Sequence, residues 1–181
     1  MLIREKLVQA ELAAAKLHIR EVGGNNHGPA VKKFLHEVGL PEGYAWCDAF
    51  QSYEEHAAAG YTLPIESASV WQTYNSARNM GWVLPDGATP ARGDLVLYDF
   101  DGDGRTDDHI GIVVAVTALP GCWKLRTVEG NTGDGNATDG DGVYIRTRIV
   151  RRSTVLFIRI PGQVLPAKVA ATPRKPRRKA A

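Results

Sequence analysis

The hydrophobic pattern changes period once, near Pro85, and that change limits the chain to a fold with its helices first and its strands second. Ahead of it, Leu2, Leu7, Val8, Leu12, Ala15 and Ile19 recur near the 3.6-residue spacing of an amphipathic helix that ends before Gly23 and Gly24. Pro29 suits the first turn of a second helix, in which Val31, Phe34, Leu35 and Val38 follow i, i+3, i+4, i+7 as far as Gly39. A third helix is predicted over 47–59, stopped by Gly60. A fourth is predicted after Ser67 as its cap, with Val70, Trp71, Tyr74 and Ala77 as its inward stripe before Gly81. Beyond Pro85, runs rich in β-branched residues alternate with Gly and Asp clusters, which predicts antiparallel strands near 94–99, 109–116, 123–129, 142–150 and 154–160. The expectation is an α+β domain with its N-terminal helices packed on an antiparallel sheet of five or six strands.

With 44% hydrophobic residues, four Trp, six Tyr and four Phe, the 181-residue chain can bury a real core, which excludes disorder for most of it. No stretch approaches the roughly 20 apolar residues of a membrane helix. Arg4, Glu5, Lys6 and Glu11 stand where an export signal would need an uninterrupted apolar run, so synthesis without a signal peptide is expected. The net charge of +2 hides an asymmetry. Residues 163–181 carry Lys168, Arg174, Lys175, Arg177, Arg178 and Lys179 with no acid, leaving residues 1–162 net acidic. We read 1–162 as one domain and 163–181 as a basic, disordered tail suited to contact with anionic polymers or lipid head groups. Without interleaved aromatics, that tail is a weak signal for nucleic acid.

Cysteine is scarce: Cys47 and Cys122 are too few for a disulfide framework and lack zinc-site spacing. Cys122 reads as a small apolar filler. Cys47, in GYAWCDAF, falls where a turn gives way to a helix, and a thiol there faces unpaired N–H groups and the positive end of the helix dipole. The same groups can hold an oxyanion, although a lone cysteine is more often a core residue. His109 opens the apolar run HIGIVVAV, so its imidazole is held at a sheet end, as a general base requires. His18, His36 and His56 fall within helices and His27 in a turn, as solvated or half-buried fillers. Glu129 and Asn131, in VEGNT, are both candidates to orient the imidazole, and adjacent strand ends can bring Glu129 to His109. Trp46, Trp71, Tyr74 and Trp82 are candidates for lining a groove, with core packing favoured for Trp71 and Tyr74.

The order WC, GDLVLYD, DHIGIV, VEGNT resembles the CHAP domain, the cysteine- and histidine-dependent amidohydrolase and peptidase family of bacterial cell-wall hydrolases. The similarity runs from about residue 10 to 160 and includes the segment GGNNHGPAVKKFLHEVGL. The resemblance implies a papain-like arrangement in which Cys47 is the nucleophile, His109 the base and Glu129 the orienting acceptor, with Asn131 a neighbour or substitute. It implies peptidoglycan as substrate, cut at the N-acetylmuramoyl-L-alanine amide or within the peptide. A monomeric, phage endolysin-like enzyme, made in the host cytoplasm and acting on the wall after release, is the leading expectation. An injected antibacterial amidase and a noncatalytic, calcium-stabilised wall-binding or virion module are the alternatives. Asp48 departs from the small apolar residue usual after the cysteine, and is expected to affect the thiol.

The string DFDGDGRTDDH places Asp99, Asp101 and Asp103 at positions 1, 3 and 5 of a calcium-type loop, with Gly104 to permit the turn. The Arg105 carbonyl supplies position 7 and Asp107 position 9, while Ile110 stands where an EF-hand has its bidentate Glu. Calcium is the expected ion and no organic cofactor is implied. An ordinary Asp- and Gly-rich strand connection is the alternative. A second acidic stretch, NTGDGNATDGDG, lacks the fixed interval and reads as a loop.

Overall fold

The computed structural model describes residues 2–133 and 140–162. Half of the second acidic stretch and the whole basic tail therefore lie outside the described residues. The order is α1 (Ile3–Lys16), α2 (Pro29–Glu37), α3 (Cys47–Ala59), α4 (Val70–Asn79), then β1 (Leu95–Tyr98), β2 (His109–Leu119), β3 (Cys122–Thr132), β4 (Gly142–Arg151) and β5 (Val155–Ile158). The strands form one antiparallel sheet in the order β4-β3-β2-β1-β5. The α+β expectation holds, with five strands.

Two apolar layers explain why nearly every residue of the central strands is apolar. On one side Leu95, Leu97, Ile110, Ile112, Val128 and Ile158 meet Leu7, Val8 and Phe50 of the helices. On the other, Val96, Tyr98, Val113, Trp123, Leu125, Val155 and Phe157 form a smaller cluster. Burying both faces removes the inside-outside alternation that marks a half-exposed strand. Gly130 permits close packing of the helical layer, because a Cβ there would fall 2.7 Å from the Phe50 ring of α3.

Buried Asp94, just before β1, explains the acid in GDLVLYD. It accepts two bonds from Arg159 (2.9 and 2.7 Å) and one from Arg4 (3.2 Å), joining the start of the sheet to α1 and to the end of β5. Ser67 does not cap α4: Ser69 holds that position without a side-chain bond, and the Ser67 hydroxyl instead accepts from the Ser69 N–H and donates to Gln72. The inward stripe is also shifted. Val70, Thr73 and Ala77 are buried, whereas Trp71 is 47% exposed and Tyr74 half-buried, because a helix as short as ten residues turns only a narrow face inward.

Candidate active site

Cys47 is the first residue of α3, and the preceding Trp46 supplies no side-chain cap. The first-turn N–H groups of α3 thus keep their capacity to bind an anion beside the thiol. Trp46 is held from two sides. Its indole N–H donates to Glu21 Oε1 at 2.8 Å, and its ring stacks on Phe34 at 5.7 Å between centroids. With the Asn131 amide turned to satisfy both neighbours, its oxygen accepts from the Trp46 N–H (3.1 Å) and its nitrogen donates to the Gly140 carbonyl (3.2 Å). Asn131 thus braces the residue before the thiol, in a left-handed conformation with φ 51°, and is not the partner of His109.

His109 opens β2 opposite Tyr98, the last residue of β1, and is almost fully buried. Its Nε2 lies 3.0 Å from Glu129 Oε2, and Cys47 is near enough for its thiol to act on the imidazole. Burial alone would push the imidazole pKa down. The bonds to Cys47 and Glu129, together with their charges, outweigh it and raise the value to about 9.

Glu129 is fully buried and more heavily bonded than a solvated strand end would be. Burial would raise its pKa, but Arg148 and His109, by hydrogen bonding and charge, hold it well below the usual carboxylate range. Arg148 Nε donates to Oε1 at 2.7 Å and Nη2 to Oε2, a two-pronged pairing, while Thr127 (2.6 Å) and Tyr98 (3.2 Å) donate hydroxyls to Oε1. Phe100 stacks on Tyr98 and His109 at 4.9 and 5.8 Å, and Arg148 lies 5.0 Å from the Phe100 ring centroid.

The Arg148 role escaped sequence reasoning, since β4 (GVYIRTRIVR) alternates cationic and apolar residues like any exposed edge strand. Gly111 escaped it too. A Cβ there would fall 2.6 Å from Glu129 Cγ and 2.8 Å from the Val128 carbonyl oxygen, so the Glu129 side chain occupies the space that a larger residue would need. Gly in the middle of an apolar strand was the available signal. Gly111→Ala should cost about 1–3 kcal/mol of stability and lower turnover more than a remote Gly→Ala change of similar cost. Urea unfolding beside a hydrolysis assay checks this.

Asp48 belongs to the packing between two helices. It is buried, accepts the Thr73 hydroxyl at 2.7 Å, and is pushed up to about 7 by burial, so it ties α3 to α4. A carboxyl whose folded pKa is raised keeps its proton longer in the folded state, so its contribution to stability falls as pH rises from about 4 to 7. Asp48→Asn should therefore melt higher than the parent protein at pH 8 and converge with it near pH 4. Parallel melting curves across that range would remove the titration.

The acidic loop is the β1–β2 connection and runs directly into His109. Asp99, Asp101 and Asp108 can each offer an oxygen within 4.8 Å of the others. Asp108 thus stands where Asp107 was expected, and neither Asp107 nor Asp103 belongs to this trio. The carboxylates also accept backbone N–H groups, Asp99 from Gly102 (2.7 Å) and Gly104 (3.1 Å), Asp101 from Asp103 (3.0 Å), Asp103 from Arg105 (2.7 Å) and Asp108 from Phe100 (2.6 Å). The Arg105 guanidinium lies 5.9 Å from the Trp71 ring, which packs at a tilt against Tyr74, so α4 and the loop share one surface. Trp46 and Trp82 are buried, and Cys122 is a half-buried free thiol at the start of β3.

The model of the CHAP domain family matches residues 39–131, just over half of the chain. The chain belongs to the CHAP domain family, and that membership makes it a peptidoglycan hydrolase of the amidase or peptidase kind. The match is narrower than the span of about 10–160 suggested by the sequence motifs, but it encloses Cys47, His109, Glu129 and Asn131. No curated protein and no solved structure matches the chain. Among the described residues no helix is long and apolar enough to cross a membrane.

Proposed function

We propose that the protein is an endolysin-type enzyme that cleaves an amide of peptidoglycan through Cys47, either the N-acetylmuramoyl-L-alanine bond or a bond of the peptide. The observation that carries this reading is the buried series Cys47, His109, Glu129, in which the imidazole lies beside the thiol and meets the carboxylate at 3.0 Å. The Cys47 sulfur, having given its proton to His109, adds to the amide carbonyl carbon, and the oxyanion sits against the first-turn N–H groups of α3. The C–N bond then breaks as His109 gives its proton to the departing amine. In the second half His109 takes a proton from water, the hydroxide adds to the thioester, and the thiolate leaves. Glu129, fixed by Arg148, keeps the imidazole aimed and stabilises its cation. Trp71, exposed beside the acidic loop, offers a ring face to sugar or peptide.

Incubating the purified protein with peptidoglycan and weighing the fragments by mass spectrometry tests activity and bond together. Free stem peptides with an L-alanine amino terminus mean the amidase, shortened peptides mean the endopeptidase, and binding without new amines supports the noncatalytic module instead.

The donor set of the β1–β2 loop fits a hard divalent cation, because Asp99, Asp101 and Asp108 converge as oxygen ligands only. We propose calcium there, ordering the loop that leads into His109. Hydrolysis should fall on chelation, return with added calcium, and lose both responses in Asp101→Ala. Full activity under chelation and in that variant would end the proposal.

A further inference from the structure

A second group of ligating side chains lies away from the catalytic residues. Glu37 closes α2, His56 lies in the last turn of α3, and Glu66 precedes α4. His56 Nδ1 is 3.3 Å from Glu37 Oε1, 3.6 Å from Glu66 Oε2 and 3.4 Å from the Thr62 hydroxyl. Three oxygens therefore gather on one ring nitrogen. A proton on Nδ1 lies along one direction and can serve one of them well. A metal ion serves all of them at once.

The spacing suits such an ion. A tetrahedron with metal–ligand bonds of about 2.0–2.1 Å has edges of about 3.3–3.4 Å, close to these separations. One ligand atom from each of Glu37, His56 and Glu66 lies within 4.8 Å of the others. The Glu66 side chain is only 6% exposed, and its other oxygen is held at 2.6 Å by the Leu63 N–H, so the ligand is already oriented. Glu37, Thr62 and Glu66 also line a surface cavity of about 420 Å³, which gives an ion a path from solvent.

We propose that Glu37, His56 and Glu66 form a site for a divalent transition metal of the zinc class, with Thr62 or water as the fourth ligand. The imidazole nitrogen selects against calcium and magnesium, which take oxygen ligands. Two carboxylates and one dication are electrically balanced. The ion would join the end of α2, α3 and the segment leading into α4, holding the helix that begins at Cys47 without touching the reacting atoms.

The test is calorimetric titration of Zn²⁺ into the full chain, repeated with millimolar calcium present and with Glu37→Gln, His56→Gln and Cys47→Ser. We expect one saturable site, unmoved by calcium and by Cys47→Ser, and weakened at least about tenfold by each of the other two changes. Zinc should also raise the melting temperature of the parent protein and of Cys47→Ser alike. Glu37 is partly exposed, so Glu37→Gln is the variant that keeps the fold, and circular dichroism checks it. No saturable binding up to 100 μM Zn²⁺, or binding lost in Cys47→Ser and kept in Glu37→Gln, would overturn the site and leave the cluster as an ion pair only.

Discussion

Cys47→Ala should lose hydrolysis by about 10⁴-fold or more, with melting temperature and peptidoglycan binding little changed. The size follows from the loss of a covalent nucleophile that shares one unit with its base: what remains is binding and oxyanion stabilisation with nothing to attack the carbonyl. The small stability effect follows from the change itself. Alanine keeps the Cβ and removes one sulfur at the open end of a helix, while Trp46 stays anchored by Glu21 and Asn131. Release of new amino groups from purified peptidoglycan measures the first part and thermal unfolding the second. Activity within tenfold of the parent protein would mean that the bond is broken by some other group.

Glu129→Gln should have the second-largest effect, and on two properties at once. Turnover should fall by about 10²–10⁴-fold, because an amide neither fixes the imidazole tautomer nor stabilises its cation as a carboxylate does. Stability should fall by about 3–5 kcal/mol, because Arg148 is left half-buried against a neutral group. The pH dependence separates these roles. His109 has a folded pKa raised above its ordinary 6.5 to about 9, so its contribution to stability is fully present below about pH 6.5 and is lost as pH rises through 9. Glu129 has a depressed folded pKa, so its contribution is present above about pH 4.5 and is lost as pH falls below that. In the variant both slopes should flatten, read as urea midpoints from pH 3 to 10. His109→Gln should flatten the alkaline slope on its own. An unchanged alkaline slope in both variants would show that the pair does not couple to folding, and near-normal turnover by folded Glu129→Gln would remove the orienting role.

Much of this arrangement was legible from residue patterns. The break near Pro85 marked the boundary between helices and strands, and Gly60 marked the end of α3, where its φ of 79° closes the helix. Cys47 and His109 were legible because each sits at the terminus of an element, and termini have recognisable chemistry. What stayed hidden depends on distance in space. Nothing in GVYIRTRIVR distinguishes Arg148 from Arg146, yet Arg148 grips the carboxylate. Helical spacing favoured core packing for Trp71, but Trp46 is the fully buried one, beside Cys47, and Trp71 stands exposed beside the acidic loop. In the acidic loop, Asp99 and Asp101 were legible from their spacing, whereas the approach of Asp108 to them depends on how the loop folds back before His109.

The pairing of β1 with β5 bears on how the enzyme is made. Cys47, His109 and Glu129, the residues of the proposed mechanism, are all present along the polymer by residue 129, but the guanidinium that grips Glu129 arrives at 148 and the strand that completes the sheet at Val155–Ile158. A nascent chain on the ribosome therefore carries β1 with one side unpaired until synthesis is nearly finished, and closure of that long loop comes last. Hydrolytic competence is thereby tied to completion of the domain, and a truncated translation product would carry Cys47, His109 and Glu129 without the framework that aligns them.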